Sequence, residues 1–349
     1  MDVGTGSGIL AVWAAQAGAR RVYAIEYTDM AKHAKSVMEA NGVADVVTVI
    51  QAAVEDVELP STDFPGEDST KECVDIIISE WMGYFLLRES MVDSLIRARD
   101  KFLKKGTGIM YPSHATMLLA PITDEEERKI NRNEYNGAMG DWQDFVEATK
   151  GTYGVDMSVL DSHFEREQRE YYLLSSRWAE FKPSALLAPP QIIKSIDMHT
   201  CTLADCRGIS LNDPGSAFDF EIVTQNNWEA EGPISGFAGW FTVDFKSRDD
   251  EEGMDAAPKI IHPVHLTTGP EGGYTHWGQQ AFHLNSCIPL ISGETTRLKG
   301  SIELKRTKEN VRLYNCRIAF QASRRKNSEP PGGTLVMQSN VIEHIYQIP

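Results

Sequence analysis

The sequence predicts a doubly wound α/β domain over 1–111 followed by an antiparallel β domain over 112–349. A helical arm is inserted into the second at about 123–178. Three observations carry this. Short β-rich runs alternate with helical patterns up to Met110, as in a parallel sheet covered by helices. The stretch 123–178 is charged, aromatic-bearing and mostly helical in pattern. From Gln191 onward, short strand-like runs alternate with turns, as in an antiparallel barrel or sandwich. At 349 residues and 42% hydrophobic, the chain can build two cores.

In the first half, strands are expected at 21–25, 46–50, 74–78 and 108–110, and helices at 9–16, 29–41 and 89–103. Asn41-Gly42 and Lys105-Gly106 supply helix stops. The stretch 60–72, rich in Ser, Thr, Pro, Gly and acids, reads as an exposed loop. The character changes at Tyr111-Pro112-Ser113-His114, and 115–122 reads as a strand. Asp124-Glu125-Glu126-Glu127 is an acidic helix start. Tyr135, Met139, Trp142, Phe145, Tyr153, Tyr171, Tyr172 and Trp178 give the arm apolar anchors, which suit either an interface or a local core. Later strands are expected at 191–198, 218–223, 239–245, 262–267, 276–284, 296–304, 312–320 and 334–348, with solvated loops at 246–259 and 323–333.

Lys+Arg is 34 against Asp+Glu 50, a net charge of −16. That balance disfavours direct nucleic-acid binding and favours encounter with basic partners, besides giving ordinary solubility. No apolar run reaches the roughly 18 residues of a membrane span, so no membrane is expected. No secretory leader is expected either: a glycine loop follows Met1-Asp2 at once. Five scattered cysteines form neither a disulfide framework nor a zinc pattern, and no metal is expected. A reducing compartment, cytoplasm or nucleus, is the expectation. Cys201 and Cys206 stand five apart, too weak a signal for metal binding.

Two motifs carry chemistry. The first is Asp2-Val3-Gly4-Thr5-Gly6-Ser7-Gly8, a glycine loop before an apolar helix, with Glu26 at the end of the next strand. Glycines allow a ligand close to the backbone, and a carboxylate at that strand end accepts hydrogen bonds from ribose hydroxyls. A dinucleotide loop would space its glycines G-x-G-x-x-G, and this one does not. The tighter spacing opening on Asp2 suits S-adenosylmethionine and argues against a nicotinamide dehydrogenase. Glu55, after the third strand, is a candidate contact to the adenine edge; by itself it also reads as a solvated acid.

The second motif is the run from Ser79 to Ser90, which puts Glu80 and Glu89 nine positions apart after an apolar strand. A loop with an acid at each end can close two carboxylates on one cation. A planar guanidinium fits best, because its forked N–H donors match carboxylate geometry. Thr275-His276-Trp277 opens a later strand, where His276 stands beside an aromatic residue and could face the first domain.

In order and spacing, these residues resemble the protein arginine N-methyltransferases over nearly the whole chain. The matching residues are 2–8, Glu26, Val54-Glu55, Ile78 to Tyr84, Glu89-Ser90-Met91 and Thr275-His276-Trp277. Phe85-Leu86-Leu87-Arg88 and Tyr153-Gly154-Val155-Asp156-Met157 look most like the plant-type branch. The resemblance implies an S-adenosylmethionine domain, a β-barrel domain, and an arm that makes a head-to-tail homodimer. It implies that Asp2, Gly4, Gly6, Gly8, Glu26, Val54 and Glu55 hold cofactor and that Glu80 and Glu89 grip the substrate guanidinium. His276 would help shape the active site, with Met91 and Trp277 packing beside the reacting centre. Its Thr-His-Trp form implies monomethyl and asymmetric dimethylarginine as products. Basic arginine-containing proteins, such as histone tails or arginine-glycine-rich proteins, are the expected substrates.

The resemblance also implies helices upstream of Met1, bearing tyrosines, an arginine, a methionine and an acid that pairs the barrel histidine. We therefore expect the chain to be a fragment that lacks this N-terminal segment, with weakened cofactor binding and folding. A catalytically silent dimerising scaffold is the rival expectation, which the intact Glu80 and Glu89 oppose. Of the two acids, Glu89 is expected to be the better base, since neighbouring carboxylates drive their pKa values apart.

Overall fold

A computed structural model of the chain describes residues 1–60, 63, 72–225, 232–247 and 261–348. The first half is one parallel sheet made of β1 (Asp2–Val3), β2 (Val22–Glu26), β3 (Val47–Gln51), β4 (Ile76–Ile78) and β5 (Ile109–Tyr111). Its order is β3-β2-β1-β4-β5. All five residues of β2 are buried, which is why this strand reads as a continuous apolar run rather than an alternation. The helices are α1 (Ile9–Gln16), α2 (Met30–Ala40) and α3 (Val92–Phe102). α2 buries Ala31, Ala34 and Met38; α3 buries Leu95, Ile96 and Phe102 among others.

β1 pairs with β2 on one side and β4 on the other, so the strand order reverses around it. Ligands of open α/β sheets bind at such a reversal, beyond the carboxyl ends of the strands. Gly4, Glu26 and Glu80 follow or end β1, β2 and β4, so the topology brings all three to that end of the sheet.

The second half contains β6 (His114–Ile122), then the arm helices α4 (Glu125–Tyr153) and α5 (Asp161–Leu173). There follow β7 (Arg177–Ala179), β8 (Gln191–Asp197), β9 (Gly208–Ile209), β10 (Ala217–Val223), β11 (Ile234–Phe245) and β12 (Val264–Thr267). The last are β13 (Gln279–Ile288), β14 (Glu294–Arg306), β15 (Tyr314–Lys326), β16 (Leu335–Gln338) and β17 (Ile342–Ile348). They form two six-stranded antiparallel sheets, one on the path β7-β13-β11-β6-β8 and one on β10-β14-β15-β16. Aromatic rings join the sheets: Phe237 of β11 lies 5.5 Å from Phe218 and 5.3 Å from Phe320, centroid to centroid.

Several expected boundaries moved, each for a local reason. α3 starts at Val92 rather than Glu89, because Glu89 (φ 81°) and Ser90 (φ 57°) are left-handed. β15 runs to Lys326, into the loop expected at 323–333, since its end pairs with β14 and Arg324 meets Glu294 at 3.3 Å. The single strand expected at 334–348 divides into β16 and β17, both paired to β15. The arm holds a small core of its own: Trp142 stacks on Phe164 at 4.5 Å and donates from Nε1 to Asp161 at 2.7 Å. Most of the loops expected at 60–72 and 246–259 lies outside the described residues.

Candidate active site

The glycine loop is shaped by positive φ at Gly4 (75°), Gly6 (54°) and Gly8 (91°), a region costly for residues with a Cβ. Both Gly4 and Thr5 donate backbone N–H to Ile25 O at 2.9 Å, which turns the chain tightly over β2. Gly6 N donates to Glu26 Oε2 at 2.9 Å. Thr28 gives Glu26 Oε1 two further bonds, from N at 2.8 Å and Oγ1 at 2.6 Å. Burial pushes the Glu26 carboxyl up, but the bonds from Thr28 and Gly6 outweigh it and hold the pKa below the usual range. Asp2 is fully buried, its Oδ2 bonded by Thr5 and its Oδ1 without a partner. Burial raises its pKa to about 6, against the pull of the Thr5 bond.

The two-glutamate loop is a wedge between the domains. Trp81, Met82, Phe85, Leu86 and Leu87 are buried, while Glu80 keeps an open face. Gly83 N donates to Leu86 O at 2.9 Å and Leu87 N to Phe85 O at 2.8 Å, which folds the run onto itself. Phe85 meets Phe282 of β13 edge-on at 5.4 Å, and Trp277 Nε1 donates to Met82 O at 2.8 Å. Four non-glycine residues of the run, Phe85, Leu86, Glu89 and Ser90, have positive φ. Such clustered strain persists only where packing over-determines it, as at functional sites.

Glu89 is fixed by the hairpin between β14 and β15. Its N–H donates to Arg312 O at 2.9 Å, and Ser90 Oγ donates to Val311 O at 2.5 Å. Its carboxylate meets guanidinium nitrogens of Arg88 and Arg312, each at 3.3 Å. In the first turn of α3, Asp93 takes Arg306 at 2.6 and 3.0 Å and Arg207 at 2.8 and 3.0 Å. At the other end of the loop, Glu80 accepts from Met82 N at 3.1 Å. Burial raises the Glu80 pKa, and the nearby charge of Glu89 adds to the rise; the Met82 N–H and His276 oppose it.

The structure therefore brings Glu80, Glu89 and His276 into one electrostatic neighbourhood. Trp277 stacks on His276 at 3.8 Å. Met91 joins the two halves of the site: a Cβ added to Gly4 would lie 2.8 Å from Met91 Cε. Val54 is buried. Glu55 instead turns to α3, accepting from Ser94 Oγ at 3.1 Å and meeting Arg97 at 3.6 Å. Sequence reading missed Arg306, Arg207 and Arg312, which hold the loop from the β domain. One cavity of about 630 Å³, lined by Met1, Leu10, Trp13, Tyr23, Ile76 and Tyr111 among others, contains none of these site residues.

Residues 113–325 match the arginine methyltransferase oligomerization subdomain, and residues 1–107 match the ribosomal protein L11 methyltransferase family. Protein arginine N-methyltransferase PRMT10 of Arabidopsis thaliana is 42% identical over 334 residues, covering 94% of this chain and 79% of that protein. The chain belongs to the protein arginine N-methyltransferase family. The PRMT10 protein of Oryza sativa subsp. japonica is 44% identical over 336 residues, 96% of this chain and 80% of its own length. Among solved structures, Arabidopsis thaliana protein arginine methyltransferase 10, described in a uniquely open conformation, superposes with a TM-score of 0.81. It is 40% identical and covers 100% of this chain and 88% of that one. The Trypanosoma brucei PRMT1 enzyme–prozyme heterotetrameric complex with AdoHcy gives 0.67 at 25% identity, with the same coverages.

This methyltransferase acts on arginine with S-adenosylmethionine as cofactor. The glycine loop fits that group: three left-handed glycines leave the backbone bare, and Glu26 offers an ionised carboxylate beside it. Glu26→Gln keeps one acceptor and loses the charge. Charged hydrogen bonds contribute about 1.5–3 kcal/mol each, so S-adenosylhomocysteine should bind at least about tenfold more weakly by calorimetry. Unchanged affinity would remove Glu26 from the cofactor site.

Proposed function

We propose that the chain transfers methyl groups from S-adenosylmethionine to arginine side chains of basic proteins, forming monomethyl and asymmetric dimethylarginine. The observation that carries this reading is the convergence at Gly4, Met91, Glu80 and Glu89. The cofactor loop touches the residue that follows the two-glutamate run, and the two acids feel each other's charge. The Thr275-His276-Trp277 form supports the asymmetric product. Substrates are basic tails or arginine-glycine-rich segments, which suit a chain of net charge −16.

Asp2, Gly4, Gly6, Gly8, Glu26 and Val54 would hold the cofactor, which would supply an electrophilic methyl carbon when bound. Glu80 and Glu89 grip the guanidinium from two sides and draw its positive charge toward the nitrogens they touch. The remaining nitrogen then keeps lone-pair density, and positioning is the main catalytic term. The rise in the Glu80 pKa makes Glu80 a candidate proton acceptor beside Glu89. His276 lowers the cost of charge on Glu80, and Trp277, which lies in the turn before β13 rather than opening the strand, ties that turn to the loop through Met82.

The direct test is mass spectrometry of an arginine-glycine-rich peptide incubated with the protein and S-adenosylmethionine. Mass gains of one and two methyls, with fragments diagnostic of the asymmetric isomer, are expected; no gain refutes the reading. Turnover should also depend on pH in a defined sense. A carboxyl with a raised pKa keeps its proton longer as pH climbs, and the clamp needs Glu80 ionised. As pH falls, kcat/KM should therefore drop at a pH above the usual glutamate range. Asp2, at about 6, titrates nearby, so cofactor affinity measured across the same range separates the two.

We assign the arm to a homodimer. Its tip leaves Tyr153 (77%) and Val159 (81%) exposed, with Val155 and Leu160 beside them. On the α/β domain, Ile9 and Trp13 of α1 are exposed apolar residues that a second copy's arm would cover. Val159→Asp should shift sedimentation from dimer to monomer; a variant that stays dimeric removes the tip from the interface.

A further inference from the structure

The two cysteines that matched no metal pattern meet in the turn after β8. Cys201 and Cys206 are both buried and stand in the same short turn. Backbone bonds close the turn, Cys201 N to Asp197 O at 2.9 Å and Cys206 N to Thr202 O at 3.3 Å. From the other domain, Arg99 of α3 points Nη1 at Met198 O (3.0 Å) and at Cys201 Sγ (3.6 Å). A cation beside sulfur favours the thiolate, the form that reacts with oxidants. Interaction with Cys206, together with Arg99, holds the Cys201 pKa below the usual thiol range; interaction with Cys201 and burial push Cys206 up. Cys201 also lines a cavity of about 630 Å³ with Ile193, Asp197, Thr200 and Asp205, large enough to admit a small oxidant. Among the described residues, no group of three or more His, Cys, Asp or Glu could hold a metal, and methyl transfer uses neither thiol.

We propose that Cys201 and Cys206 are a peroxide-oxidisable dithiol whose disulfide loosens α3. The Cys201 thiolate attacks one oxygen of hydrogen peroxide. An S–O bond forms, the O–O bond breaks, and hydroxide leaves to become water. The Cys206 sulfur then attacks the sulfenic sulfur; the S–S bond forms, and the S–OH oxygen leaves as water with the Cys206 proton. Two thiols are oxidised, and one peroxide is reduced to two waters.

The disulfide reaches α3 by two routes. It converts the Cys201 sulfur that Arg99 faces at 3.6 Å from a thiol to a disulfide sulfur. It also reshapes the turn that carries Arg207, whose guanidinium holds Asp93 at the first turn of α3. Arg306 remains on Asp93, so α3 loosens without losing its place.

The full chain, reduced and then exposed to peroxide under thiol trapping, should yield a Cys201–Cys206 peptide pair lighter by two hydrogens, reversed by dithiothreitol. Cys206→Ser should stop at a trapped sulfenic acid on Cys201. Hydrogen exchange of the α3 amides should rise severalfold in the oxidised chain and return on reduction, with no such change in Cys201→Ser. Absence of the linked pair, first oxidation on Cys206, or α3 exchange unaltered by the disulfide would each overturn the proposal. Neither readout requires methyl transfer, so the proposed enzyme activity can fail separately.

Discussion

Glutamine at position 80, and separately at position 89, lowers kcat by about 100-fold or more while S-adenosylhomocysteine affinity stays unchanged. The size follows from removing one charged group that acts on developing charge in a partly dry site, typically worth about 10²–10³ in rate. Glutamine keeps the shape and one acceptor oxygen, so substrate positioning survives better than charge withdrawal. Folding should barely respond. The ion pairs of Glu89 with Arg88 and Arg312 are partly open to water, and such pairs contribute about 0–1 kcal/mol. Glu80 makes one backbone bond, to Met82, which glutamine can still accept. A large fall in rate with a steady thermal midpoint therefore identifies the clamp. Turnover close to that of the unaltered chain, in either variant, excludes it.

The place of Glu80 is legible because local sequence marks it. Glu80 follows β4, whose three consecutive isoleucines announce a strand by composition although Ile76 is exposed. Gly4, Gly6 and Gly8 were legible for a similar reason, since only glycine takes those φ values cheaply. What local sequence could not mark was the other end of the loop. Glu89 and Ser90 look like the first turn of a helix, and only the β14–β15 hairpin makes them left-handed. That hairpin lies more than two hundred residues away in sequence: Arg312 is 223 positions from Glu89, and Arg306 is 213 from Asp93. No periodicity within a window of ten or twenty residues carries such a contact. The same limit applies to Cys201, whose partner Arg99 lies 102 positions earlier, on the other domain.

The β domain thus positions one half of the proposed guanidinium site directly, with its hairpin on Glu89 and Trp277 on Met82. Between those fixed points the loop must hold its own shape, and Gly83 decides whether it can. Gly83→Ala should abolish most methyl transfer and lower the thermal midpoint. A Cβ at this position would lie 1.9 Å from Arg88 O and 2.7 Å from Arg88 C, both backbone atoms that cannot swing aside. The conflict is with space, since Gly83 is absent from the left-handed glycines. Relief requires the 83–86 bridge to open, with its bond from Gly83 N to Leu86 O. Phe85, Leu86 and Leu87 are buried between the domains, so they cannot follow without opening a void. Overpacking a tight site costs about 1–3 kcal/mol, which the chain can survive. Glu80 and Glu89 would nevertheless lose their spacing, and a displacement of about 1 Å can cost on the order of 100-fold in rate. Activity should accordingly fall much further than stability. Cofactor affinity gives the control, because Gly83 touches neither the glycine loop nor Glu26. If Gly83→Ala turns over normally with an unchanged midpoint, the loop's self-closure does not set the glutamate spacing, and the clamp is held by the β domain alone.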